Sequence, residues 1–89
     1  MTPFEQDPND VLDYPFDWSA FLGGDTIQSS QFLADSGITV ESDAILDSSH
    51  TVVWLSQPEA GKRYAVTNRI VTAGDRTKDW TIYVLGKEQ

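Results

Sequence analysis

The stretches that decide the fold are TVVWLS at 51–56, KRYAVTNRIVT at 62–72 and DWTIYVL at 79–85. All three are rich in β-branched and aromatic residues, which are typical of strands, and the last two alternate between two faces. The loops between them, QPEAG at 57–61 and AGDRTK at 73–78, carry turn residues. The pattern therefore predicts a meander of three antiparallel strands, in which 57–61 is a hairpin loop and 73–78 is a second turn.

Further short strands are predicted upstream. VLDYPF at 11–16 contains Pro15, which restricts this segment to a sheet edge or an extended entry segment. TIQSSQFLA at 26–34 carries Ile27 and Phe32 on opposite phases, which indicates a β-bulge between them. The polar character of this segment predicts an edge strand that faces a neighbouring protein. Two more short strands are predicted at 38–42 and 44–46.

One helical turn is predicted at 17–24, with Asp17 as the N-cap and Gly23 as a left-handed C-cap. With roughly six or seven short strands at a spacing of about 8–12 residues, the expected fold class is all-β. The expected architecture is a small antiparallel immunoglobulin-like β-sandwich. The alternation within the strands predicts that Trp54 and Trp80 lie in its core.

The first ten residues, MTPFEQDPND, differ from the rest of the chain. Two prolines, three acids and the isolated Phe4 predict an extended N-terminal arm at 1–10, which becomes ordered only where a surface receives Phe4. Residues 11–89 are predicted to form a single β-sandwich domain, because a chain of 89 residues is too short for two hydrophobic cores.

The charges are unevenly distributed along the chain. The sequence has 14 acidic and 6 basic side chains, which give a formal net charge of −8, and it has no cysteine. Residues 1–61 hold 11 acids and no Lys or Arg, whereas 62–89 hold 3 acids and all 6 bases, so the two parts carry −11 and +3. Nucleic acid is not expected as a partner, because phosphate binding needs a basic surface. The lack of cysteine excludes disulfides, thiolate zinc sites and cysteine nucleophiles.

The sequence does not indicate a membrane protein. The N-terminus lacks the basic and apolar regions of a secretory signal, and no apolar run approaches the roughly 20 residues of a membrane-spanning helix. A soluble protein without a membrane partner is predicted.

Catalytic chemistry is not indicated either. The one histidine, His50, lies in a polar stretch before a strand, which favours an exposed loop residue over a general base. The acids at Asp7, Asp10, Asp13 and Asp17 do not have the spacing of a calcium-binding EF-hand loop, and no glycine-rich phosphate-binding motif is present. No enzymatic activity, cofactor or metal is therefore predicted.

Four stretches together carry a family resemblance: DPNDVLDYPFDWSAFLGGDTIQSSQF, GITVES, TVVWLS and AGKRYAVTNRIVTAGDRTKDWTIYVLG. They resemble a family of tailed-bacteriophage proteins, the fibre-tail adaptors, over nearly the whole chain from Asp7 to Val84. The loops at 57–59 and 75–77 depart from the family pattern. The resemblance implies a non-enzymatic virion subunit with an immunoglobulin-like β-sandwich, repeated as a homo-oligomer in a symmetric particle that is assembled in the bacterial cytoplasm.

A subunit of this kind would act through contacts with other phage structural proteins of the tail, neck or fibres. The arm and the acidic half are predicted to dock on one partner, and the basic last hairpin on another. The predicted contact residues are Phe4, Asp7, Asp10, Asp13, Tyr14, Arg69, Arg76, Lys78 and Tyr83. Two alternatives stay open: a decoration protein of the phage capsid, and a carbohydrate-binding β-module with Tyr83 in its sugar-stacking platform.

Overall fold

The computed structural model describes residues 3–88. That part of the chain forms seven strands and one short helix, which confirms the predicted all-β fold with a helical turn. In chain order the elements are β1 (Phe4–Gln6), β2 (Val11–Asp17), α1 (Ser19–Leu22), β3 (Ile27–Ala34), β4 (Thr39–Ile45), β5 (His50–Ser56), β6 (Arg63–Thr72) and β7 (Thr77–Gly86).

The strands form two sheets that pack face to face as a small sandwich. The four-stranded sheet has the order β1-β7-β6-β3, and the three-stranded sheet has the order β2-β5-β4. The two strands that were predicted to be edges, β2 and β3, are both edge strands. β3 has its bulge between Ile27 and Ser29, as the opposite phases of its apolar residues predicted. The two short strands predicted at 38–42 and 44–46 are one strand, β4, with a bulge between Val40 and Ser42.

The predicted three-stranded meander is wrong at its first connection. β6 and β7 pair antiparallel as predicted, but β5 lies in the other sheet, between β2 and β4. The loop at 57–61 is therefore not a hairpin loop, because it carries the chain from the three-stranded to the four-stranded sheet. Turn residues serve both kinds of connection, so the local sequence does not distinguish them.

The N-terminal segment belongs to the four-stranded sheet from Phe4 onward. β1 runs parallel to the end of β7, with Phe4 opposite Val84. The ring of Phe4 packs edge-on against Tyr14, with 5.3 Å between the ring centroids, so the surface that receives Phe4 belongs to the same chain. The boundary between an arm at 1–10 and a domain at 11–89 stays a prediction, and Met1 and Thr2 lie outside the described residues.

Gln6, the last residue of β1, ties this strand to the three-stranded sheet. Its side chain is almost fully buried. The amide Nε2 donates to the carbonyl oxygen of Leu55 at 2.8 Å, and Oε1 accepts a hydrogen bond from the Tyr14 hydroxyl at 2.8 Å. A buried amide with both ends paired avoids the cost of burying polar groups, so it can link the two sheets.

The helical turn is bounded by a carboxylate and a glycine. The N-cap was predicted at Asp17, but the cap position is the next residue, Trp18. The Asp17 carboxylate nevertheless accepts hydrogen bonds from the backbone N–H of Ser19 at 2.9 Å and from its hydroxyl at 2.6 Å. Gly23 ends the helix with a positive φ of 65°, which favours glycine, but its ψ of −70° differs from the left-handed C-cap that was predicted.

The core lies between the two sheets. Its fully buried apolar side chains are Val53, Leu55, Val66, Ile70 and Val84, together with Phe16. Trp80, which was predicted to lie in the core, points to the inner face but lies at the rim of the sandwich, where it is 37% exposed. It packs edge-on against Phe16 and Trp18.

The prediction that Trp54 lies in the core is wrong. Its neighbours Val53 and Leu55 point inward and are fully buried, so the alternation of the strand directs Trp54 outward, where 40% of it is exposed. A strand in which consecutive residues are apolar fits either phase, so the sequence pattern alone does not show which face is inside.

Asn68 on β6 connects the layers through a buried hydrogen-bond network. Its Oδ1 accepts from the indole N–H of Trp18 at 3.0 Å and from the Thr51 hydroxyl at 2.6 Å. Its Nδ2 donates to the Ser30 hydroxyl at 2.8 Å and to the carbonyl oxygen of Gln31 at 3.1 Å. Every polar group of the amide is thus paired, which makes this fully buried side chain a joint between β3, β5, β6 and the segment before α1.

Candidate protein-binding surfaces

The uneven charge of the sequence becomes a difference between the two sheets. All three strands of the three-stranded sheet come from 11–56, a part of the chain without Lys or Arg. β6 and β7, in the middle of the four-stranded sheet, come from the part that holds every base. The outer faces of the two sheets therefore offer different chemistry to other proteins.

The outer face of the three-stranded sheet has an exposed tryptophan at its centre. We call this surface the Trp54 face; its apolar and acidic members are Val11, Asp13, Pro15, Glu41, Ala44, Val52 and Trp54. In the strand register, Trp54 lies between Asp13 on β2 and Ser42 on β4. Within residues 3–88, Trp54 makes no ring contact and no side-chain hydrogen bond, in contrast to Trp18.

The acidic side chains of this face have no basic partner. Glu41 accepts a short hydrogen bond from the Ser56 hydroxyl. Neither Asp13 nor Glu41 forms an ion pair with a Lys or Arg of the described residues. The face is therefore an apolar surface with uncompensated negative charge.

His50 lies at one end of the Trp54 face, between two carboxylates. Its Nδ1 is 2.9 Å from Asp47 Oδ1, and its Nε2 is 3.4 Å from Asp17 Oδ1. The hydrogen bond with Asp47, and then the charges of both carboxylates, raise the pKa of His50 above its usual value. His50 is the first residue of β5 and not a loop residue, and its Nδ1 also lies 3.0 Å from the hydroxyl oxygen of the neighbouring Ser49.

The outer face of the four-stranded sheet balances its charges internally. Arg69 on β6 forms a bidentate ion pair with Asp79 on β7, with Nε–Oδ1 at 2.8 Å and a second nitrogen–oxygen distance of 3.0 Å. This pair raises the pKa of Arg69 and lowers that of Asp79. Tyr83 lies on the same face, with the Arg63 guanidinium 5.8 Å from its ring centroid. Both predicted contact residues, Arg69 and Tyr83, thus already have partners in the chain.

Arg76, in the turn between β6 and β7, is occupied by contacts with the helical turn. Its guanidinium donates to the carbonyl oxygen of Leu22 at 2.9 Å and to Asp25 Oδ2 at 3.2 Å, and it lies 4.5 Å from the ring centroid of Phe21. Hydrogen bonds from the Thr72 hydroxyl and from backbone N–H groups, with a contribution from Arg76, lower the pKa of Asp25 to about 2. Arg76 therefore fixes α1 to the β6–β7 turn.

A cleft with two cavities runs along the side of the sandwich where β2 faces β7. One cavity, of about 360 Å³, is lined by Phe4, Asp13, Tyr14, Pro15, Phe16, Trp80 and Ile82. The other, of about 330 Å³, is lined by Asp17, Trp18, Ala20, Phe21, Lys78, Asp79 and Trp80. Trp80 lines both, so the cleft brings together the predicted contact residues Phe4, Asp13, Tyr14 and Lys78.

The other predicted contact residues lie elsewhere. Asp7 and Asp10 bound the turn after β1, where the Asp10 N–H donates to the carbonyl oxygen of Asp7 at 3.0 Å. Tyr14 is itself buried, and this burial, with the charge of Asp10, raises the pKa of its hydroxyl to about 12. The nine predicted residues thus do not form one surface but divide among the cleft, the two turns and the outer face of the four-stranded sheet.

The residue with the most distinctive environment, Trp54, was not among the predicted contact residues. The sequence shows that Thr51, Val53 and Leu55 share one phase and that Trp54 lies on the other, and the structure buries the first phase. Three side chains of moderate size fill the inner face there. The sequence pattern does not show that these three, and not the one large aromatic ring, face the core.

Other kinds of site are not found in the described part of the chain. Between residues 3 and 88, no three His, Asp or Glu side chains are grouped so that they could hold a metal ion. The helix in these residues, α1, has four residues. No helix in the described part of the chain is long and apolar enough to span a membrane.

Comparison with protein families gives one match. The family model described as "Podophage GP4 fiber-tail adaptor protein gp77" matches residues 6–85. The match includes every strand except the start of β1 and the end of β7. No curated protein matches the chain significantly.

Proposed function

The chain belongs to the podophage GP4 fiber-tail adaptor family, and from this premise we propose that it connects the phage tail to the fibres through protein–protein contacts. The family is one of structural adaptors and not an enzyme class, and an adaptor of this kind is a component of the virion. The connection of tail and fibre by this chain, its assembly in the host cytoplasm and its repetition as a homo-oligomer are parts of the proposal.

The observation that carries the proposal is the chemical difference between the two outer faces. An adaptor must hold two different partners at once, so it needs two surfaces that do not compete for the same partner. The Trp54 face is apolar and acidic, whereas the four-stranded sheet carries Arg63, Arg69 and Tyr83. We infer that the acidic half, with the N-terminal segment, contacts one partner, and that the basic β6–β7 hairpin contacts the other.

The experiment is to produce phage particles without this chain and to image them. We expect capsids with tails that have lost their fibres, and we expect wild-type chain supplied from a plasmid to restore the fibres. Mass spectrometry of purified wild-type particles should find the chain in a fixed ratio to the tail proteins.

Three results would contradict the proposal. One is particles that keep their fibres without the chain. Another is wild-type particles that do not contain it. The third is an electron-microscopy map that places the chain over the capsid surface, which would assign it to decoration of the head.

A further inference from the structure

The Trp54 face has the properties of a buried interface without being covered in the described structure. Trp54 is 40% exposed at the centre of the middle strand, and Val11 on the neighbouring edge strand is 53% exposed. Tryptophan is enriched among the residues that dominate binding free energy, especially near the centre of an interface. An exposed ring of this size in a middle strand therefore marks the sheet face as a contact surface.

The charge around Trp54 indicates what kind of partner fits. Asp13 on β2 lies opposite Trp54 on one side, and Glu41 lies on the other side, at the bulge of β4. No Lys or Arg occurs in β2, β4 or β5. A complementary surface must therefore bring positive charge to the rim and an apolar or planar group to the indole ring. Arg side chains meet both requirements, because the guanidinium pairs with carboxylates and stacks on Trp.

A second copy of this chain does not offer such a surface. Four of its six basic side chains already form ion pairs within the chain: Lys62 with Glu59, Arg69 with Asp79, Arg76 with Asp25 and Lys87 with Glu5. To bind another copy, these four bases would have to break their own ion pairs. The other two, Arg63 and Lys78, lie at opposite ends of the β6–β7 pairing, against the rings of Tyr83 and Phe21, so they do not flank one apolar contact. Charge complementarity therefore favours a different protein.

We propose that the Trp54 face binds a segment of another virion protein in which Arg or Lys side chains flank an apolar contact for Trp54. The inference rests on the proposed function, because it takes the partner from the virion. In the bound state, the basic side chains pair with Asp13 and Glu41, and the indole of Trp54 is covered.

The test is site-specific photo-cross-linking in assembled particles. The photoreactive p-benzoylphenylalanine replaces Trp54 in one preparation and Leu33 in another. Leu33 is the matched control, because it is 39% exposed and lies on the outer face of the other sheet. We expect the Trp54 position to cross-link to a different virion protein, at a peptide that contains Arg or Lys, and the Leu33 position not to reach that peptide.

A second measurement uses competition during assembly. Wild-type and Trp54→Ser chains are expressed together, and their ratio in purified particles is compared with their ratio in the cell extract. We expect Trp54→Ser to be depleted about tenfold or more, as for an interface residue that dominates binding, and Leu33→Ser to enter particles at the expressed ratio. Asp13→Lys should also be depleted, and circular dichroism checks that each variant is folded.

The outcomes separate this inference from the proposed function. A cross-link from the Trp54 position to a second copy of the chain, or no cross-link in particles that contain the variant, would overturn the inference. Equal entry of folded Trp54→Ser and wild-type chains would overturn it too. Absence of wild-type chain from the particles would instead refute the proposed function.

Discussion

The outer faces of the two sheets differ in how their charges are balanced. On the four-stranded sheet, Arg69 and Asp79 neutralise each other across neighbouring strands, and Lys87 lies 3.4 Å from Glu5. On the three-stranded sheet, Asp13 and Glu41 have no basic partner among the described residues, and Trp54 is exposed between them. Net charge is therefore a poorer guide to a binding surface than charge that lacks an internal partner.

The two outer faces are distinct only while the two sheets stay packed back to back, so we expect the greatest loss of stability where a substitution disrupts the buried contacts between the sheets. Asn68→Ala removes both acceptor bonds of Oδ1 and both donor bonds of Nδ2, which leaves the Trp18 indole N–H and the Thr51 hydroxyl buried without their partner. We expect the free energy of unfolding to fall by about 3 kcal/mol, because each unpaired buried group costs about 1–3 kcal/mol. Urea denaturation at equilibrium measures the change.

The control is Asn9→Ala, the same substitution at an exposed position in the turn after β1. Its effect should stay within about 0.5 kcal/mol. If Asn68→Ala were as mild as this control, Asn68 would not be the joint between the sheets.

The next largest effect should come from the turn that carries the chain from β3 in one sheet to β4 in the other. Gly37 has φ of 108°, and a Cβ atom there would lie 3.0 Å from Cε1 of the buried Tyr64. Gly37→Ala therefore combines an unfavourable backbone conformation with a close contact, and we expect a loss of about 2 kcal/mol in the free energy of unfolding.

Gly24→Ala is the matched control for this glycine. Gly24 does not have a positive φ, and a Cβ atom there would meet no atom within 4 Å. Thermal unfolding of the two variants should give a lower midpoint for Gly37→Ala alone. Equal midpoints would show that the β3–β4 turn tolerates a side chain and does not constrain how the sheets are joined.

The least change in stability is expected at the end of the Trp54 face, where the imidazole of His50 lies between two carboxylates. Asp47 and Asp17 raise the pKa of His50 above the usual 6.5. The protonated imidazole thus stabilises the fold fully below about pH 6.5, and this contribution is lost as the pH rises through the raised pKa. An NMR titration of the His50 Cε1 proton should show a midpoint above that of a histidine in an unfolded peptide.

Asp47→Asn tests the cause, since Asp47 makes the largest contribution to the raised pKa. The midpoint of His50 should move down in this variant, and His50→Gln should remove the corresponding pH dependence of stability. A titration midpoint at or below 6.5 in the wild-type protein would mean that these carboxylates do not bind the imidazolium.

Several parts of the fold could be read from local sequence because local physics decides them. Pro15 has no backbone N–H to donate to a neighbouring strand, which restricted its segment to a sheet edge or an extended entry segment, and β2 is an edge strand. The phases of Ile27 and Phe32 indicated a bulge in β3, and Gly23 suited the positive φ at the end of α1. In each case one residue or one short spacing carries the constraint.

The parts that failed depend on residues far apart in the chain. The face on which Trp54 lies depends on how β5 packs between β2 and β4. The seven residues of β5 include apolar side chains on both phases, so either phase could face the core. The role of Gln6 also depends on distant residues, because its buried amide is paired by the carbonyl oxygen of Leu55 and the hydroxyl of Tyr14. The candidate surface was missed because its central residue was assigned to the core.

The separation of acids and bases is a property of the sequence alone, with −11 before Lys62 and +3 from there on. Most of the strands, and the edge character of β2 and β3, also follow from local sequence, because alternation and turn residues act over a few positions. The pairing of the strands in three dimensions places the separation between two outer faces, because β5 pairs with β2 and β4 and not with β6. Strand pairing between distant segments depends on the packing of the whole core, and this pairing turned a charge difference along the chain into an acidic surface around Trp54.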